Sequence, residues 1–273
     1  MKSNLLLACL ATALALAPVT LPAQSEATVS MKIDVVAWGD DTGGLSFGAG
    51  KKTFTACAFR YSEPISYSGP IVLELHKSGD GDVKKDRVPM SDEDREHESK
   101  PLIVAETADS ENQAETIPKQ LALLREKDPT LVALIPLPAN ARRVTILLAP
   151  AAKGTYIGYV INDDPGKLPI GKLRVHNLSP HRIAMKFNSG GQQEMGARES
   201  LVVDAPKGHV IYQLAYQTPE EWKIQENNVL PVRPNEQTQL IVLKSKNQFF
   251  LSSDGATGGF LQVVTLRRGN QPE

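Results

Sequence analysis

The sequence predicts an all-β protein built as two consecutive immunoglobulin-like β-sandwich domains behind a cleaved export signal. Three observations lead there. Short runs of alternating apolar and polar residues recur about every dozen positions, punctuated by Gly, Pro and Asn, which is the spacing of sandwich strands. The segment Asn162–Gly171 carries Pro165, Gly166, Pro169 and Gly171 between two such runs, so it reads as an inter-domain linker. The chain opens on Lys2, an apolar run from Leu5 to Ala17, and Pro18–Ala23 ending on a small residue, which is the order of a secretory signal.

Residues 1–23 are therefore expected to be removed, leaving a mature chain in the periplasm or outside the cell. The apolar run is shorter than the ~20 residues a spanning helix needs, and no later run is long enough to cross a membrane. Removal of Cys9 with the signal leaves Cys57 as one cysteine, so an internal disulfide is impossible and the core must hold the fold. Cys57 lies in the alternating run Thr53–Phe59 and reads as a small strand residue, not a nucleophile. Thirty basic residues against thirty-one acidic ones give a net charge of −1, without a dense basic tract for nucleic acid.

The first domain is expected over 28–165. Its strands are Met31–Trp38, Lys52–Arg60, Ile71–Leu75, Leu131–Ile135, Val144–Leu148 and Thr155–Ile161. Gly39–Gly44 reads as a loop and Pro64–Pro70 as a bend, while 78–128 is a polar insertion. Within it, Glu111–Lys127 is either a short helix after Pro118 or an edge segment. The second domain is expected over 168–270. Its strands are Lys172–Asn177, Ile183–Asn188, Glu199–Asp204, His209–Tyr216, Trp222–Gln225, Gln239–Lys244, Gln248–Ser252 and Phe260–Arg267.

The run Lys172–Pro180, the strand Ile183–Gly190 and the turn Ala205–Val210 resemble a family of secreted bacterial β-sandwich domains of unknown function. The resemblance covers residues 171–267 and implies a fold and a compartment. It supplies no catalytic residues, and His181 and Arg182 stand where that family carries acidic and small residues.

Chemistry-bearing patterns are sparse. His176 and His181 flank a turn and could pair on a metal with His209 or Asp204, but ordinary turn histidines explain the spacing. His97 sits in the solvated charge run Ser91–Glu98. Asp80-Gly81-Asp82 has Lys84 where a calcium loop needs an oxygen ligand, so it reads as a turn. The glycines of Gly39–Gly50 lead into a strand-like run, whereas a phosphate loop needs a helix. Glu220-Glu221 beside Trp222 is the most suggestive carboxylate pair, more simply the start of a strand. No residue is assigned to catalysis, to a cofactor or to a metal.

The expectation is an exported, non-catalytic accessory or binding protein of the cell envelope. It would meet a protein or envelope component, not nucleic acid, through loops or sheet edges. Two other classes compete. A secreted hydrolase of glycans or peptides would require two close carboxylates in a cleft, one with raised proton affinity. A glycan-binding module would require Trp38 or Trp222 exposed on a flat surface.

Overall fold

The computed structural model describes residues 28–78, 110–244 and 260–269. The signal, His97 and its charge run, the Asp80-Gly81-Asp82 turn and the expected strand Gln248–Ser252 lie outside the described residues. The described chain is mostly β with one helix, as the alternating patterns require.

The first unit is organised around β1 (Thr28–Ala37). Ile33, Val35 and Ala37 point into one core, while Asp34 and Val36 point to the opposite, equally buried side. A strand buried on both faces suits a central position. One flank of β1 pairs in parallel with β7 (Arg143–Pro150), from Lys32 opposite Arg143 to Ala37 opposite Leu148. The other flank changes partner. Thr28–Ile33 pairs antiparallel with β4 (Ile65–Pro70), and Val36–Ala37 pairs in parallel with β3 (Phe54–Ala58).

This change of partner joins strands that a sandwich would divide between two sheets. With β2 (Thr42–Phe47), β5 (Val72–Lys77), β6 (Leu131–Pro136) and β8 (Tyr156–Asn162), the order is β6-β5-β2-β3-β1-β7-β8, with β4 also on β1. The two ends of that order lie against each other: Ile135 of β6 covers Gly158 of β8, where an added Cβ would fall 2.7 Å from Ile135 Cδ1. The first unit is thus one nearly closed, barrel-like sheet around Ile33, Leu45, Leu75, Ile135 and Ile146, in place of the expected pair of sheets.

Two of its strands run through segments expected as loop and bend. In β2, Gly44 at φ 71° accompanies an irregular register against β3, a bulge that glycine tolerates, and Leu45 is then buried. In β4, Ile65 and Tyr67 alternate with outward Ser66 and Ser68, and Pro70 is accommodated at the end of an edge strand. The helix α1 (Ser110–Lys127) starts before Pro118 and packs on β6. Its half-buried Ile117, Leu121 and Leu124 follow the i, i+4, i+7 spacing of one helical face.

The second unit consists of two four-stranded sheets around one core. One runs β11 (Gln192–Met195), β10 (Ile183–Phe187), β13 (His209–Gln217), β14 (Trp222–Pro231). The other runs β12 (Ser200–Asp204), β9 (Lys172–Asn177), β15 (Glu236–Lys244), β16 (Leu261–Gly269). Val175, Met185, Leu214 and Leu240 meet between them.

The proline- and glycine-rich linker is pinned along its length. Asp164 Oδ1 accepts the amides of Arg142 and Arg143 at 3.0 Å, Leu168 is fully buried, and the Gly171 amide donates to Glu236 O at 2.9 Å. Gly171 has φ 71°, and a Cβ there would approach the Pro234 carbonyl oxygen at 3.2 Å, so glycine is required.

Candidate functional site

The outer face of β1, β7 and β8 packs on the outer face of β9, β15 and β16. At one end of this joint, Val36, Leu147, Tyr159 and Ile161 meet Leu178, Ile241, Leu243 and Leu266. Trp38 is half-buried at its margin, donating Nε1–H to Gln262 Oε1 at 3.1 Å and meeting Phe59 edge-on.

The other end is ionic. Asp34 Oδ2 receives Arg143 Nε and Arg268 Nη2, both at 2.8 Å, and its Oδ1 receives Arg143 Nη2 at 3.2 Å. Arg268 Nη2 also reaches Asp163 Oδ2 at 3.3 Å, and the guanidinium lies 4.1 Å over the Tyr61 ring. The Thr145 hydroxyl donates a short bond to Asp163. Gln239 Nε2 donates to Asp163 Oδ1 at 3.1 Å and to the Tyr61 hydroxyl at 2.8 Å, which leaves Gln239 Oε1 as an acceptor for His176 Nε2 at 2.7 Å. One chain of bonds thus runs from β9 through β15, Asp163 at the exit of β8, and β7 to β1 and β16.

Burial sets the protonation of this cluster. Loss of solvation pushes the Asp163 carboxyl above its usual range, opposed by Arg268 and by the Thr145 bond. Desolvation also raises the Tyr61 phenol, with the Asp163 charge adding to it. His176 is pushed down to about 3, by burial first and Arg174 second, so it is neutral at pH 7 and carries its proton on Nε2 towards Gln239.

Asp34 and Asp163 are two carboxylates on one guanidinium, one of them with raised proton affinity. That is the electrostatic half of what a hydrolase needs. The other half is access, yet their side chains are 2% and 0% exposed. A substrate atom cannot reach them without separating the two units. The arrangement holds charges in register across a joint, and bond-making would require it to open.

The candidates singled out in the sequence are dispersed. His176 faces the joint, whereas His181 meets Phe260 at a tilt, with ring centroids 4.5 Å apart. His209 Nδ1 sits 3.1 Å from Lys207 O, and Asp204 pairs with Lys172. Among the described residues no group of three His, Cys, Asp or Glu is placed to hold a metal. Glu220 and Glu221 occupy the turn before β14, where the Glu221 amide donates to Thr218 Oγ1 at 3.1 Å. Cys57 is a partly buried residue of β3 with a free thiol. Of the glycines of Gly39–Gly50, Gly43 and Gly44 lie within β2 and the others flank it, and the chain continues into β3, not a helix.

The outer face of β13 and β14 is the notable exposed surface. Ile211 lies directly opposite Val229, and Ala215 opposite Ile224. Ile211, Ile224 and Val229 are 49%, 66% and 55% exposed. The bulge at Gln225 creates this face: without it, Ile224 would share the parity of buried Leu230 and point inward. Gln225 itself bridges the two sheets, accepting the Leu261 amide at 2.8 Å and donating to the Leu261 carbonyl. Half-buried Trp222, opposite Gln217, heads the same face.

Comparison with known proteins returns no matching family and no matching curated relative.

Proposed function

We propose that this chain is an exported, non-catalytic binding or accessory protein of the cell envelope, and that its contact surface is the outer face of β13 and β14. The observation that carries the reading is the alignment of Ile211, Ile224 and Val229 on one exposed sheet face, headed by Trp222. Apolar side chains gathered on an otherwise polar surface gain by covering one another. The ionisable cluster supports the same reading, because it is spent on holding the two units together. Within this proposal residues 168–270 form an immunoglobulin-like sandwich, and residues 171–267 belong to the secreted β-sandwich family they resemble.

Contact is through side chains of the face, since the β14 edge is guarded against strand addition. It carries a bulge at Gln225, Lys223 on the core side opposite Tyr216, and Pro231 at its end. Each of these devices discourages an added strand.

The test is to express the full chain with an affinity tag in an exporting bacterium and isolate it from the envelope fraction. The mature protein should begin at Gln24 and retain a specific envelope component. The double variant Ile224→Asp/Val229→Asp should lose that component while keeping its β-sheet circular dichroism. A protein recovered uncleaved from the cytosol, or capture unchanged in the folded double variant, would overturn the reading.

A further inference from the structure

We infer that the first unit carries an oxyanion site, formed between β1 and β4, that binds phosphate or sulfate groups of an anionic polymer. A concavity of about 300 Å³ there is lined by Ser30, Lys32, Ser66, Ser68 and Arg142, with Met31 and Tyr67 at its base. The register explains the convergence. Ser30 lies directly opposite Ser68 and Lys32 directly opposite Ser66, so all four side chains project from one face of the β1–β4 ribbon. The Lys32 amide donates to the Arg142 carbonyl at 2.9 Å, which brings the Arg142 residue to the same rim.

The donors are uncommitted. Neither Lys32 nor Arg142 forms a side-chain ion pair among the described residues, and the three hydroxyls make no hydrogen bond there. Two adjoining acids are already engaged: Asp34 by Arg143 and Arg268, Asp164 by the amides of Arg142 and Arg143. Lys32 and Arg142 thus line the concavity without an ion-paired carboxylate among the described residues. Three hydroxyls, an ammonium and a guanidinium supply more donors than a two-oxygen carboxylate can accept, which suits a tetrahedral group presenting three terminal oxygens. The rim is exposed, so a single group binds weakly and the attraction is screened by salt. A polymer repeating the group gains by avidity. The site lies on the first unit and does not depend on the β13–β14 face.

The test is a titration of the full chain, at low salt, followed by backbone amide NMR. Inorganic phosphate and sulfate are the small probes; polyphosphate, dextran sulfate, polygalacturonate and neutral dextran are the polymers. Saturable shifts centred on residues 30–32, 66–68 and 142 are expected. Lys32→Gln/Arg142→Gln should weaken binding by about 10-fold or more. Ser30→Ala/Ser66→Ala/Ser68→Ala, which keeps every charge, should weaken it about 3- to 10-fold. Tighter binding of polyphosphate or of dextran sulfate identifies the natural group. The inference fails if these residues do not shift, if the serine variant binds unchanged, or if polygalacturonate binds as tightly as both other charged polymers.

Discussion

At the scale of single residues, the joint is decided by a few polar side chains that hydrophobic patterning does not foresee. Asp34 interrupts an apolar run and Asp163 sits in an apparent turn, so alternation alone reads one as an outward strand residue and the other as loop. The signal present was an acid inside a strand otherwise too apolar to face water. Its partners, Arg143 and Arg268, lie 109 and 234 positions away, and nothing local pairs them. Arg268→Met would leave Asp34 with Arg143 alone and remove the ion pair of Asp163. Removing one partner of a buried pair costs about 3–5 kcal/mol, to be read as a lower urea midpoint. A variant as stable as the parent would show that the cluster contributes little.

His176 gives the joint a pH signature. It is neutral in the folded chain down to about pH 3, whereas the unfolded chain takes up its proton near the ordinary histidine value of about 6.5. Between these values the unfolded state binds the extra proton, so this residue makes stability fall as pH drops from about 6.5 towards 3, by at most about 1.4 kcal/mol per unit. The raised Asp163 acts in the opposite sense, since the folded carboxyl takes up its proton first. Denaturant melts from pH 7 to 4.5 should show the loss, and His176→Gln, which can still donate to Gln239, should flatten the curve. An identical slope in the variant would contradict the assignment.

At the scale of elements, most strands were legible because alternation marks a strand wherever one face is buried. The parts that were not legible have physical causes. Gly43 and Gly44 mask β2, and Pro64 and Pro70 mask β4, because residues that usually break strands are tolerated at bulges and edges. The change of partner along β1 leaves no local trace, so the sequence suggested two sheets where one curls round. Closure depends on Gly158 beneath Ile135. Gly158→Val should destabilise the protein by about 1–3 kcal/mol through overpacking. Adding Ile135→Ala should recover part of that loss, because residues in contact are not additive. Strict additivity in thermal melts would mean that the two strands do not press on each other.

At the scale of the whole molecule, two β units share one buried joint, with hydrocarbon at one end and a buried ionic cluster at the other. Three of the exposed apolar residues, Ile211, Ile224 and Val229, gather instead on a far sheet of the second unit, whereas Leu123, Ile170 and Val202 stand apart from one another on α1, the linker and β12. The proposed function places recognition on the β13–β14 face and leaves the joint to stability. That face was only half legible in the sequence: alternation marked the strand over His209–Tyr216, but the face arises from the Gln225 bulge, a register shift that no local pattern announces. The most direct measurement places a photo-crosslinking amino acid at position 224, and in parallel at exposed Leu123 of α1, in the exported chain in living cells. A discrete adduct with one envelope component from position 224, and none from position 123, is the predicted result. No adduct from position 224, or the same adducts from both positions, would contradict it.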